Sequence, residues 1–188
     1  MHLIITRHGE TVENVQEIYQ GQGLQGTLSE NGKEQARKLS LRLRDQKIDA
    51  IFSSDLKRAA DTAREVAKYH PDAEFHLVKE LREVNIGDLS GKSKKEFAFK
   101  NRSGVFETDE QLIERVKKFL EMIYNNYKGK KVLFVGHGYV NRAIYAVLHN
   151  KGSEAIKSFE KPGNTAVTIV DVTEEDNTFH TISCTKHL

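Results

Sequence analysis

Cysteine is nearly absent: of 188 residues only Cys184 carries a thiol. No internal disulfide can form, as expected of a chain kept in a reducing compartment such as the cytoplasm. Proline is almost as scarce, with two, and no Pro/Gly-rich linker, internal repeat or low-complexity tract divides the sequence. No apolar stretch approaches the roughly 18 to 20 residues a membrane helix needs, and the mean hydropathy of −0.57 is that of a soluble protein. An excess of one charge is missing too. The 29 Lys and Arg against 27 Asp and Glu leave a net +2, too little for a nucleic-acid footprint. The chain enters a strand at once, without a secretory leader. The expectation is one domain spanning residues 1–188, cytoplasmic, with neither a membrane nor a nucleic acid as partner.

Against these absences stands a regular alternation of elements. Strand signals fall at Leu3–Thr6, Ile48–Phe52, Phe75–Val78, Val132–Val135, Ala166–Val172 and, more weakly, Phe179–Ser183. The first, second and fourth are continuous apolar runs, as in strands covered on both faces. The fifth alternates and suits a sheet margin. Helical periodicity follows Ser29, Ser54 and Asp109, and runs again from about Tyr139 to His149. Strands alternating with helices predict an α/β fold: a mainly parallel sheet with helices on both faces. The polar segment from Gly87 to Thr108, with Lys92, Lys94, Lys95, Lys100 and Arg102, reads as a short excursion over the sheet, either a lid or a solvated loop.

Two strand ends are unusual. Leu3-Ile4-Ile5-Thr6 runs into Arg7-His8-Gly9, and Val132–Val135 into Gly136-His137-Gly138. Open α/β sheets place ligands at the carboxyl ends of their strands. A cation beside an imidazole there costs folding energy unless an anion joins them, so two such ends suggest one phosphate-handling site. Phosphoryl transfer through histidine needs a neutral imidazole, one nitrogen offering its lone pair and the other held as a donor. It needs cations for the equatorial oxygens and an acid that protonates the leaving alkoxide and then activates water.

His8 is the candidate nucleophile and Arg7 its neighbouring clamp, the guanidinium fork suiting phosphate better than an ammonium. Arg58, just past the second strand, can reach the same edge. His137 is a second imidazole donor, and Glu83, in Leu81-Arg82-Glu83-Val84, the candidate acid. The bland alternatives are satisfied strand-end histidines, a surface helix arginine and a loop salt bridge. The other six histidines show no metal-ligand spacing. Gly87 to Ser93 superficially resembles a P-loop, but three residues separate its glycines where four are required.

These segments belong to a longer pattern: Arg7-His8-Gly9-Glu10-Thr11 with Asn14; Leu28-Ser29-Glu30-Asn31-Gly32 leading to Gln35-Ala36; Ser53-Ser54-Asp55-Leu56-Lys57-Arg58-Ala59-Ala60-Asp61-Thr62-Ala63; Leu81-Arg82-Glu83-Val84-Asn85-Ile86-Gly87; and Gly136-His137-Gly138. In this order they resemble the histidine phosphatase superfamily, also called phosphoglycerate-mutase-like, over almost the whole chain. The resemblance implies a three-layer α/β/α fold on a mixed, mostly parallel sheet of about six strands. It implies phosphorylation of His8, a phosphate pocket of Arg7, Arg58 and His137, and Glu83 as proton donor. Asn14 would help hold the transferring group, and the backbone after Gly138 would contribute an N–H. Gln20 and Gly21 open the stretch to Thr27 that shapes the substrate mouth. No metal or cofactor is implied.

The substrate class implied is a small anionic phosphorylated metabolite, taken by a monomer or homodimer. Ser90 stands where the family usually has an acid. A phosphatase is the first reading, since the interval between Glu83 and His137 is short and Glu13 and Glu17 replace the Trp and Asn of phosphoglycerate mutases. A cofactor-dependent mutase is the alternative, and a non-catalytic phosphate-binding protein a third.

Overall fold

A computed structural model of the chain describes residues 1–98, 100 and 103–188. Arg102, one of the basic residues of the Gly87 to Thr108 segment, therefore lies outside the described residues. Six strands, β1 (His2–Arg7), β2 (Ala50–Ser54), β3 (Glu74–Val78), β4 (Lys131–Gly136), β5 (Val167–Val172) and β6 (Asn177–Cys184), form one sheet. Their order is β3-β2-β4-β1-β5-β6. The first four run parallel, while β5 lies antiparallel to β1 and β6 antiparallel to β5. The mixed, mostly parallel sheet expected is the one found. The alternating β5 is one strand in from the margin, which β6 provides.

The helices are α1 (Val12–Val15), α2 (Glu30–Leu43), α3 (Lys57–Ala67), α4 (Asp109–Asn126) and α5 (Gly138–Leu148). Side chains alternate across a strand, and here both faces are apolar. Ile4, Ile51, Leu133 and Val135 pack with Leu39, Leu43, Ala59, Ala63 and Val66 of α2 and α3. Leu3, Ile5, Phe52 and Phe134 pack the other way, with Leu112, Val116, Phe119 and Ile144 of α4 and α5. The continuous apolar strands are thus covered on both sides.

Local chemistry sets the helix starts. The Ser29 hydroxyl accepts from the Gly32 N–H, as an N-cap does. Thr108 and Gln111 form a reciprocal capping box before Asp109. Ser54 is displaced from the cap of α3, which starts at Lys57, and its hydroxyl accepts from the Leu56 N–H instead. Helix α1, a single turn capped by Thr11 and Asn14, is too short to leave a periodic signal.

The Gly87–Thr108 segment is strapped to the chain that follows α1. Tyr19 N–H donates to Lys92 O, Gly91 N–H to Tyr19 O, and Lys94 N–H to Glu17 O.

Candidate active site

Arg7 pairs in register with Gly136. The two histidines that follow these residues therefore leave adjacent strands at the same level. Their rings lie 5.1 Å apart, centroid to centroid, and are buried to 3% and 0% exposure. His8 Nδ1 lies 2.7 Å from Gly9 O. A carbonyl only accepts, so Nδ1 carries the proton and Nε2 keeps its lone pair. His137 is the mirror case. Its Nδ1 lies 3.1 Å from Arg58 Nε, which can only donate. The His137 proton is therefore on Nε2, a buried donor with no partner among the described residues. One ring thus offers a lone pair on Nε2 and the other an N–H on Nε2.

Burial, and after it the guanidinium of Arg58, holds both imidazoles well below the usual histidine pKa. Both are neutral at pH 7.

Arg58 is 1% exposed and acts as a hub. Besides His137, it donates to Leu24 O at 2.6 Å, Gln25 O at 3.1 Å and Gly21 O at 2.8 Å. Burial lowers it to about 10. Arg7 donates through Nη1 to Pro162 O at 3.0 Å, while its buried Nε has no partner among the described residues.

Glu83 lines the same cavity as His8, Arg7 and Arg58, a hollow of about 380 Å³, at the lower end of small-molecule sites. Its carboxylate accepts from Tyr139 N–H at 3.0 Å and Val140 N–H at 3.0 Å, in the first turn of α5, and from its own neighbour Val84 N–H at 3.0 Å. The amides after Gly138 are thus taken up by Glu83 and not left for a phosphate, a correction to the expectation. Two flanking ion pairs hold the Glu83 loop. Arg82 grips Asp55 through both nitrogens at 2.6 Å. Arg115 binds Glu107 twice at 2.8 Å and donates to the carbonyls of Glu80 and Arg82.

Asn14, Gln20, Gly21 and Gly138 also line the cavity. The Asn14 carbonyl is used in capping α1, accepting from Thr11 N–H, which leaves its amide nitrogen for a ligand. Gln20 donates to the Thr11 hydroxyl at 2.8 Å and so braces the mouth. Gly21 has φ +50, and a Cβ there would meet Ile86 at 2.5 Å. Ser90 packs under the loop: a Cβ on Gly23 would lie 2.6 Å from its side chain, so a larger residue at 90 would push this loop out.

Sequence reasoning missed several groups. Thr62 accepts from the Gly9 N–H, and the Asn164 amide donates to His8 O. Lys161 and Arg142 reach the cavity from outside the motif blocks. A larger hollow, about 870 Å³, opens near the amino ends of β2 and β3 and has neither His8 nor Arg58 in its wall.

Among the described residues no group of three or more His, Cys, Asp or Glu is placed to hold a metal, and no helix is long and apolar enough to cross a membrane. Comparison with known proteins adds the following. The family model for the histidine phosphatase superfamily (branch 1) matches residues 3–185. The chain is 32% identical to "Phosphoglycerate mutase-like protein 4" of Arabidopsis thaliana, over 93% of this chain and 80% of that protein. It is 31% identical to "Phosphoserine phosphatase 1" of Hydrogenobacter thermophilus, over 99% and 93%. Among solved structures, Bacillus stearothermophilus YhfR superposes with a TM-score of 0.89 at 26% identity, over 99% of this chain and 98% of that one.

Proposed function

Because the chain belongs to the histidine phosphatase superfamily, branch 1, and is a phosphoric monoester hydrolase, we propose that it hydrolyses small phosphomonoesters without a metal, through a phosphohistidine on His8. His8 Nε2 attacks phosphorus as the ester P–O bond breaks. The departing alkoxide takes a proton from the Glu83 carboxyl. Water then attacks the phosphoryl group, Glu83 recovers a proton from it, the N–P bond breaks and inorganic phosphate leaves. The single observation that carries this reading is the opposed pair of tautomers, fixed by Gly9 O on His8 and by Arg58 Nε on His137. It supplies a nucleophilic nitrogen and a buried N–H donor side by side.

Arg7, Arg58 and the His137 N–H would bear the equatorial oxygens, the charge-spreading role in which a metal otherwise serves. Asn14 would add its amide. The reading is supported by the cavity, whose volume of about 380 Å³ suits a small metabolite. The test is release of inorganic phosphate from a panel of phosphometabolites in the presence of chelator, with 2- and 3-phosphoglycerate isomerisation followed alongside. His8→Ala should abolish turnover and acid-labile labelling of the protein by substrate. Labelling that persists in His8→Ala would move the nucleophile elsewhere, and isomerisation faster than hydrolysis would make the enzyme a mutase.

A further inference from the structure

Six cationic side chains line the cavity against one carboxylate, Glu83. A phosphomonoester carries at most two negative charges, and Arg7 and Arg58 already meet them. Of the remaining four, Lys157 is answered by Asp109 at 3.4 Å. Lys161, Lys94 and Arg142 have no carboxylate within ion-pair distance among the described residues. Arg142 lies over the Tyr139 ring at 4.7 Å and donates to Phe159 O, leaving its buried Nε without a partner among the described residues. Lys94 approaches the Tyr19 ring at 5.8 Å. Its backbone is pinned to Glu17, so the side chain enters the cavity from a fixed point.

Lys161 is the most telling. It precedes Pro162, whose carbonyl holds Arg7, and it crosses above Gly138. A Cβ built on Gly138 would lie 3.2 Å from Lys161 Cε and 3.8 Å from Arg7 Nε. The Lys161 stem and the Arg7 guanidinium thus both approach the position a Cβ of that glycine would take, which sets Lys161 beside the phosphate clamp. Burial and the charges of Arg7, Lys94 and Arg142 all disfavour its proton. Partly buried cations that repel one another are retained at a cost unless an anion answers them.

Resting on the phosphatase reading above, we propose that Lys161, with Lys94 and Arg142, forms a second anion subsite beside the phosphate clamp. The preferred substrates are then compact phosphomonoesters bearing a second anionic group, either a carboxylate or a further phosphate.

Matched pairs of probes test this. 3-Phosphoglycerate and glycerol 3-phosphate differ only in a carboxylate. A hexose bisphosphate and the corresponding monophosphate differ only in the second phosphate. The wild type should favour the doubly anionic member of at least one pair by about tenfold or more in kcat/KM, the size of one charge-assisted hydrogen bond, and the pair showing it identifies the group. Lys161→Met keeps the aliphatic stem and should cut that ratio by a similar factor. No preference in either wild-type pair overturns the proposal, and so does a ratio unchanged in Lys161→Met, which would make Lys161 one more phosphate ligand. Should Lys161→Met fail to fold, Lys94→Met, on a separate segment, reads the same ratio. If none of the four esters is hydrolysed, the phosphatase reading has failed on its own account. Calorimetric binding of 3-phosphoglycerate and glycerol 3-phosphate then decides the subsite, equal affinities overturning it.

Discussion

Arg58→Met sets two large effects against each other. The guanidinium's bonds to Gly21 O and His137 Nδ1 are buried, and leaving those acceptors unmet costs about 1–3 kcal/mol each. The Leu24 and Gln25 carbonyls are partly exposed; water replaces their donor, adding on the order of 1 kcal/mol. Opposing this is the cost of holding a cation there. Burial lowers Arg58 from 12.5 to about 10, which corresponds to on the order of 3 kcal/mol at about 1.4 kcal/mol per pH unit. The sign follows from linkage: the unfolded chain binds this proton more tightly, so the native state bears the full penalty at every pH below about 10. Methionine removes it. The net loss should be roughly 0–4 kcal/mol, and at about 2–4 °C per kcal/mol for a chain of this length Tm should fall by no more than about 16 °C.

The same variant should lose its response to anions. Orthovanadate at a hundred times its Kd stabilises a binding protein by about 2.7 kcal/mol, or about 5–11 °C in Tm here. Arg58→Met should show little of that rise at the same vanadate concentration. Thermal melts with and without vanadate measure both quantities. A fall beyond about 20 °C without anion would mean that the buried charge carries no penalty. An undiminished vanadate shift would remove Arg58 from the clamp.

Glu83→Gln should slow alkyl phosphates, whose leaving groups need a proton, by about tenfold or more beyond its effect on p-nitrophenyl phosphate, since acid catalysis contributes roughly 10²–10⁴-fold. Equal losses on the two would remove proton donation from Glu83. A pH series should show the preference for doubly anionic substrates weakening as pH rises through about 8. Burial first, then Arg7, Lys94 and Arg142, against the opposing pull of Glu83, bring the Lys161 ammonium to about 8. It is charged below that value and neutral above, and kcat/KM reports the free enzyme. A preference that stays flat from pH 7 to 10 would contradict this.

How much of this was readable beforehand divides along a physical line. His8, His137 and Arg58 were legible because a cation or imidazole at the carboxyl end of a buried strand, or just beyond it, breaks local patterning. Each is a costly choice that packing alone does not make. Lys161 broke no pattern. In Lys161-Pro162-Gly163-Asn164 it reads as a turn lysine, and only the antiparallel pairing of β5 with β1 carries that turn to Arg7. Pairing between strands so far apart in sequence leaves no local trace. Lys94 was visible only as one charge in a basic run. The fate of the amides after Gly138 was hidden for the same reason: their acceptor, Glu83, comes from a loop more than fifty residues earlier.

That last contact bears on how acid and imidazole work together. His137 occupies the N-cap position of α5 without capping it. Helix starts leave N–H groups that need acceptors, and here Glu83 supplies them from another segment. Glu83 and His137, the proposed proton donor and phosphate-binding imidazole, are thereby fixed to one rigid element, the first as its acceptor and the second as its first flanking residue. Neither can shift without disturbing the same turn, which keeps their separation constant across both halves of the reaction. His137 Nε2, Arg7 Nε and Arg142 Nε are buried without partners among the described residues; the His137 ring lies beside that of His8, and Arg7 and Arg142 line the cavity. Three buried N–H donors without partners, converging on one hollow, suit an oxyanion there.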